Sequence, residues 1–154
     1  MDVKYINPFL DAFLSVMPQL GFSEVKKQSL VLKEKNIRSN GVMVILGIVG
    51  DVKGNVVYSL DVDSAKKIAS VMMMGFPVND FDDMAQSAVS ELTNMLTATA
   101  SMNFANIGTN INISTPTLMF GEDFEMKMNI DKIISVSLTV NNIPIEINIG
   151  LENA

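Results

Sequence analysis

Three parts of the chain repeat apolar residues every three or four positions, which is the spacing of an amphipathic helix. Each part begins with an asparagine or aspartate, which are preferred N-caps, and ends at glycine or proline, which stop helices. The predicted helices extend from Asn7-Pro8 to Pro18, over residues 65–74 after a cap by Asp61 or Asp63, and from near Asp82 to about Asn106 or Gly108.

The other apolar segments favour strands, because they are rich in β-branched residues and are separated by turn residues. Asn141-Asn142 suits a tight turn, and the glycine-rich residues 50–54 suit a hairpin. The predicted strands are residues 23–35, 41–49, 55–60, 110–120, 124–130, 132–140 and 143–151. We therefore predict a single domain over residues 1–154, of the α+β class, with helices packed on one face of a largely antiparallel sheet.

Cysteine and histidine are both absent from the 154 residues, and this excludes several kinds of chemistry. A thiol nucleophile, a disulfide framework, a cysteine or histidine zinc site and a serine–histidine–carboxylate triad all need one of them. Any catalysis must therefore use carboxylates, amides, hydroxyls, lysines or the groups of a partner.

The chain is acidic, with a net charge of −6 and a pI near 4.5, which argues against nucleic acid or an anionic membrane as partner. Lys26, Lys27, Lys33 and Lys35 suit the solvated edge of a strand better than a phosphate-binding stripe. No secretory signal is visible at the start, and no apolar stretch reaches the ~20 residues of a membrane span. We expect a cytoplasmic protein.

The third predicted helix has an unusual polar face. On a helical wheel Ser87, Glu91 and Asn94 fall in one line, which Ala98 continues, and Glu91 is the only charged residue from position 85 to position 121. Exposed helical faces usually carry several charges, so this flat face suits a surface on which a partner lies closely. The residues beside the line are Ser90, Thr97 and Ser101, and the predicted core face consists of Met84, Ala88, Val89, Leu92, Met95, Leu96 and Met102.

The wheel alone leaves another interpretation open. Glu-x-x-Asn is a short pattern, so Glu91 could be an ordinary solvated residue and Asn94 a tolerated polar one.

The spacing Ser87-x-x-x-Glu91-x-x-Asn94, followed by Pro116, resembles the signature of the CheC/CheX/FliY family of chemotaxis phosphatases. The motif occurs once, since the first helix offers Asp11 but no matching asparagine. A single copy is more like CheX than like the two-site CheC. The predicted order of helices and strands is also compatible with a CheC/CheX-like fold over nearly the whole chain.

The resemblance implies a phosphatase, a hydrolase that dephosphorylates phospho-aspartyl response regulators of the CheY type. Asn94 would hold the attacking water in line through its carboxamide, and Glu91 would pair with the receiver's phosphate-contacting lysine. These two are the expected catalytic residues, and Ser87 and Pro116 are expected to support them. The expected magnesium ion belongs to the receiver's acidic pocket, and no cofactor is expected in this chain itself.

The same resemblance is compatible with a second function, that of a non-catalytic adaptor that uses this helix to bind a receiver domain or a flagellar-switch component. A purely structural subunit is a third interpretation. The resemblance also implies a homodimer formed through the sheets, and the apolar residues 143–149 suggest the sheet edge for it.

Two further segments have simple interpretations. Residues 71–75 contain three consecutive methionines, which suit the buried end of the second helix better than an adaptable binding patch. Asp80, Asp82 and Asp83 suit the start of a helix, where the helix dipole favours carboxylates, better than a cation site.

Overall fold

A computed structural model describes residues 3–130 and 132–154, so Met1, Asp2 and Asp131 of the predicted domain lie outside the described residues. Within these ranges the chain forms three α-helices and nine β-strands, after a 3-10 turn over Val3–Tyr5. The helices are α1 (Asn7–Gln19), α2 (Val62–Met72) and α3 (Asp83–Asn106). The strands are β1 (Val25–Lys33), β2 (Asn36–Arg38), β3 (Gly41–Gly50), β4 (Val52–Asp61), β5 (Ile111–Ile113), β6 (Thr117–Gly121), β7 (Glu125–Lys127), β8 (Ile133–Val140) and β9 (Ile143–Asn153). No helix in the described part of the chain is long and apolar enough to cross a membrane.

Seven of the strands form one sheet. Its order is β1, β8, β9, β4, β3 and β5, and β6 also pairs with β3. The pairings within this sheet are antiparallel, as is that of β2 with β7 in a separate two-stranded ribbon. The helices pack against one face of the sheet through a shared apolar cluster, so the predicted α+β architecture is confirmed.

The main core lies between the helices and the sheet. Val44, Val136 and Ile147 point into it from three strands, and Phe13 enters it from α1. A smaller cluster lies between the opposite face of the sheet and the β2–β7 region. Its buried members are Ile37, Met43, Val57, Met128 and Ile133.

The position of β9 contradicts one prediction. Residues 143–149 do not form a sheet edge, because β9 lies between β8 and β4. Adjacent residues such as Ile147 and Asn148 are both fully buried, so both faces of the strand are covered there, although its large apolar residues occur only at every second position. One free edge of the sheet is instead β1, in which Leu30 and Leu32 are 41% and 67% exposed.

Two other predicted strands and one turn differ from the structure. Residues 110–120 form two strands, because Ser114–Pro116 oppose only Leu46 and Gly47 of β3 and thus make a bulge. Only Glu125–Lys127 of residues 124–130 form a strand, and they pair with β2. The β3–β4 turn is tighter than predicted, since β3 runs to Gly50 and β4 begins at Val52.

The methionines at the end of α2, residues 72–74, differ in part from the prediction. Asp61 caps α2 by accepting a 2.7 Å hydrogen bond from the Ser64 N–H, and the helix ends at Met72. Met72 packs against the core, but Met74 is 92% exposed with a left-handed φ of 60°. The prediction of a buried helix end is therefore wrong for Met74, because the chain turns out of the helix before that residue.

Candidate functional site

Helix α3 carries the predicted site residues and has defined ends. The Asp82 carboxylate accepts a 3.0 Å hydrogen bond from the Ala85 N–H, so the predicted role of this aspartate at the helix start is confirmed. At the other end Gly108 has a φ of 82°, which lets the Thr109 N–H donate to the Phe104 carbonyl at 2.9 Å. The helix between these ends has 24 residues.

A chain of hydroxyl groups attaches α3 to the sheet. The Tyr58 phenol on β4 and the Thr97 hydroxyl are 2.8 Å apart and fully buried. Thr97 also donates to the Thr93 carbonyl, and Thr93 donates to the Ser90 carbonyl, both at 2.7 Å. Burial raises the pKa of Tyr58 well above its usual value, an effect that the hydrogen bond with Thr97 partly offsets. The phenol is therefore neutral at physiological pH, and its hydrogen bond helps to hold the buried face of α3 against the sheet.

The structure differs from the helical wheel in which residues of α3 are buried. Thr97 was placed beside the polar line, yet it is buried together with Thr93. Met84 and Met102 were placed in the core, yet they are 67% and 64% exposed. The buried face of α3 consists of Ala85, Val89, Leu92, Thr93, Leu96, Thr97, Ala100 and Phe104.

The predicted site residues lie along one groove. Ser87, Glu91 and Asn94 line it from α3, and Pro116 lines it from the loop between β5 and β6. The groove is open to solvent and has a volume of about 470 Å³. The groove is also lined by Ser90, which the sequence placed beside the polar line, and by Asp83, which it placed at the helix start. The sequence did not point to the remaining lining residues, Gln86, Thr115 and Leu118.

The bulge of the β5–β6 loop brings Pro116 to the helix. The Gly47 N–H donates to the Ser114 Oγ at 2.8 Å, and the Ser114 N–H donates to the Gly47 carbonyl at 2.9 Å, so the loop is fixed to β3. Pro116 has no backbone N–H to donate to a neighbouring strand, so it is well tolerated at this bulge, where the strand pairing is interrupted. Sequence spacing alone could not show this contact, because it depends on a bulge.

Glu91 and Asn94 present free polar groups to the groove. Glu91 is exposed and Asn94 is half-buried. Among residues 3–130 and 132–154, neither side chain forms a hydrogen bond, and the Glu91 carboxylate has no ion pair. A carboxylate and a carboxamide one helical turn apart can therefore bind a cation and a water molecule supplied from outside the chain.

The described residues contain no group of three or more aspartate and glutamate side chains arranged to hold a metal ion. The groove has two carboxylates, those of Asp83 and Glu91, which are eight positions apart on α3. They are thus about 12 Å apart along the helix axis, too far to share one ion.

Residues 42–138, more than half of the chain, match the family model described as chemotaxis phosphatase CheX. The chain belongs to this family. The matched range contains Ser87, Glu91, Asn94 and Pro116, and the family resemblance noted from these residues is confirmed.

Individual relatives of this CheX-family chain agree with the match. The "CheY-P phosphatase CheX" of Thermotoga maritima is 27% identical over 128 residues, which are 82% of each chain. A CheC-like superfamily protein from a Shewanella species is 27% identical, with a TM-score of 0.85 over 99% of this chain and all of that one.

A third relative was solved with a partner. The structure described as the CheX-CheY-BeF3-Mg complex from Borrelia burgdorferi is 25% identical to this chain and has a TM-score of 0.79. The match covers 99% of this chain and all of that one.

Proposed function

We propose that this protein is a phosphatase of a CheY-type response regulator and hydrolyses the phospho-aspartyl group of its receiver domain. The observation that carries the proposal is the pair of unpartnered side chains, Glu91 and Asn94, one turn apart on the groove of α3. The CheY-P phosphatase named among the relatives and the receiver complex of another relative support the substrate class.

Asn94 orients the water that attacks phosphorus. An acyl phosphate is already reactive, so a phosphatase mainly has to hold a water molecule in line and accommodate the developing charge. The Asn94 carboxamide oxygen can accept a hydrogen bond from that water, and its amide can donate to a phosphoryl oxygen. The half-buried position of Asn94 limits the rotamers of its side chain and so holds the water in one place.

Glu91 fixes the position of the receiver. Its carboxylate pairs with the lysine that contacts the receiver's phosphoryl group, which aligns α3 with the receiver pocket. No other charged residue occurs between positions 85 and 121, so a cation on the partner finds one carboxylate in this stretch of the chain.

The magnesium ion of the reaction is held by the receiver, whose acidic pocket supplies its oxygen ligands. This proposal follows from the donor set of the groove, in which two separated carboxylates do not form a cage. Ser87 and Pro116 support the site: Ser87 lies one turn before Glu91, and Pro116 forms the opposite wall of the groove.

Decay of a phosphorylated CheY-type receiver, measured with and without this protein, tests the proposal. We expect the decay to accelerate in proportion to the protein concentration, with multiple turnovers. Binding of the receiver without acceleration would contradict the phosphatase and would favour the adaptor. A matched sample without magnesium should lose the effect, because the receiver's ion is then absent.

We also propose that the protein forms a homodimer through β1. This strand is a free edge whose backbone can continue the sheet into a second copy, and Leu30, Val31 and Leu32 are exposed on it. Pairing of β1 with its own symmetry mate would cover this apolar segment in both copies. The edge lies far along the sheet from β3 and β5, so the dimer would leave the groove beside α3 open.

A further inference from the structure

The peptide groups that precede the two site residues of α3 share an unusual feature. The carbonyl before Glu91 belongs to Ser90 and accepts a 2.7 Å hydrogen bond from the Thr93 hydroxyl. The carbonyl before Asn94 belongs to Thr93 and accepts a 2.7 Å hydrogen bond from the Thr97 hydroxyl. Because a peptide group is planar, a bond that holds its carbonyl also holds the following Cα atom and the direction in which that side chain leaves the helix.

These hydroxyl bonds are additional to those of the helix itself. In an α-helix each carbonyl accepts the N–H of the residue four positions on. The Ser90 carbonyl therefore receives the Asn94 N–H as well as the Thr93 hydroxyl, so this one acceptor is joined to the backbone of both site residues. A hydroxyl that bonds back to a carbonyl of its own helix also bends the helix locally. The backbone geometry at Glu91 and Asn94 thus depends on two threonine hydroxyls.

The threonines connect these peptide groups to the sheet. Both side chains are buried, on the face of α3 opposite the groove. The Thr97 hydroxyl has a single proton, which it donates to the Thr93 carbonyl, so the Tyr58 phenol on β4 must be the donor in its 2.8 Å contact with Thr97. The hydrogen bonds therefore run in one direction, from the sheet through the threonines to the backbone of the site.

Packing alone does not account for the two hydroxyls. Every other buried residue of α3 is apolar, and Val89 and Leu96 are examples. Valine has nearly the shape of threonine and about the same helix propensity, and it would be buried without the desolvation of a hydroxyl group. A helix that only had to cover the sheet could therefore carry valine at positions 93 and 97. The hydroxyls are useful where the backbone beside them has to be held precisely.

We infer that Thr93 and Thr97 are positioning residues for the hydrolysis, and that their hydroxyls hold the peptide groups from which Glu91 and Asn94 project. The inference rests on the proposed function. A group that orients an attacking water must be held to within about 0.5 Å, and a displacement of about 1 Å can lower a rate about 100-fold. Thr97 holds the peptide group of Asn94 and therefore acts on kcat. Thr93 holds that of Glu91 as well, and therefore acts on both kcat and KM.

The test removes the hydroxyls without leaving a buried polar group unpaired. Thr93→Val does so by itself, because the Ser90 carbonyl keeps the Asn94 N–H. Thr97→Val is combined with Tyr58→Phe, because the phenol would otherwise lose its partner. Dephosphorylation of a CheY-type receiver is then measured over a range of receiver concentrations, after urea unfolding has shown that each variant is folded. We expect kcat to fall about tenfold in both proteins, and KM to rise about threefold only in Thr93→Val.

Two kinds of control variant separate positioning from general damage. Thr93→Ser and Thr97→Ser keep the hydroxyl bonds, so their kcat should stay within about twofold of the wild-type value. Ser15→Ala removes a hydroxyl bond of the same kind, to the Ala12 carbonyl on α1, and should leave kcat and KM unchanged. Serine variants as slow as the valine variants would overturn the inference, and so would valine variants with the wild-type kcat.

NMR relaxation of the free protein provides a measurement that needs no receiver. Order parameters of the Glu91 and Asn94 backbone amides, and of the Asn94 carboxamide, should be lower in the valine variants and unchanged in Ser15→Ala. If the wild type does not accelerate dephosphorylation, the phosphatase proposal fails, while lower order parameters would still support the positioning role of the threonines. Order parameters as high as those of the wild type would overturn that role in this case.

Discussion

The phenol of Tyr58 and the hydroxyl of Thr97 lie 2.8 Å apart and join the sheet to α3 in the core. Thr97 is three positions after Asn94 and six after Glu91, so it lies close to both along the helix. Because a buried hydrogen bond has a defined geometry, this contact helps the buried apolar face of α3 to hold the rotation of the helix about its axis. The site residues consequently face outward.

Removing either hydroxyl should lower the free energy of unfolding, and removing that of Thr97 should lower it more. Thr97→Val leaves the buried Tyr58 phenol without a partner, which costs about 1–3 kcal/mol of unfolding free energy. Tyr58→Phe should cost only about 1 kcal/mol, because Thr97 still donates to the Thr93 carbonyl. Urea unfolding of both variants measures the difference, and a larger loss in Tyr58→Phe would contradict this account of the contact.

The same phenol predicts a dependence on alkaline pH. The pKa of Tyr58 is raised in the folded protein by burial, so above about pH 10 the unfolded chain loses this proton while the folded chain keeps it. The stabilisation is complete below pH 10 and decreases as pH rises above it, by at most about 1.4 kcal/mol per pH unit. Unfolding free energies of wild type and Tyr58→Phe, measured from pH 8 to pH 11, should converge as pH rises, because only the wild type loses the contribution of Tyr58. The titration of lysines is common to both proteins and cancels in the comparison.

Asn94→Ala should reduce the rate of receiver dephosphorylation by about 100-fold or more, because the attacking water loses its orientation. Binding of the beryllofluoride-activated receiver should change little, since the docking residues are intact. Ser87→Ala provides a control on the same line of the helix, with an expected loss below about tenfold. A variant without Asn94 that still turns over at the wild-type rate would end the proposed mechanism.

Glu91→Gln should act on binding. The carboxylate contributes a charged contact worth about 1.5–3 kcal/mol, so KM should rise about 10- to 150-fold. At saturating receiver the rate should fall less than in Asn94→Ala. Added salt should weaken wild-type binding more than binding by Glu91→Gln, because an exposed ion pair is screened by salt. Equal salt dependence of the two proteins would show that Glu91 does not form this pair.

The dimer proposal predicts a concentration-dependent mass. Wild-type protein should sediment as a dimer at micromolar concentration, and Leu30→Lys with Leu32→Lys should sediment as a monomer, because the charges oppose pairing of β1 with a second copy. Leu14→Lys is the matched control, since Leu14 is similarly exposed but lies on α1. Monomeric wild-type protein under these conditions would contradict the proposal.

The polar line of α3 was visible in the sequence because it depends on local chemistry. Asp82 and Gly108 mark the helix ends through hydrogen bonds within a few residues, and Ser87, Glu91 and Asn94 share a face in any α-helix. Their spacing, with Pro116, was enough to indicate the family. The α+β class likewise followed from the succession of periodic segments.

Tertiary structure decided which side of α3 is buried and what lies opposite its polar line. Threonine, alanine and methionine recur all around this helix, so its hydrophobic pattern is weak. Burial of Val89, Leu92, Leu96 and Phe104 against the sheet, together with the hydrogen bond between Tyr58 and Thr97, selects the buried side. Met84 and Met102 are exposed for that reason. Strand order follows from contacts between residues far apart in sequence, which places β9 inside the sheet and Pro116 beside the groove. Local pattern therefore determined the motif, and long-range packing determined the surface that surrounds it.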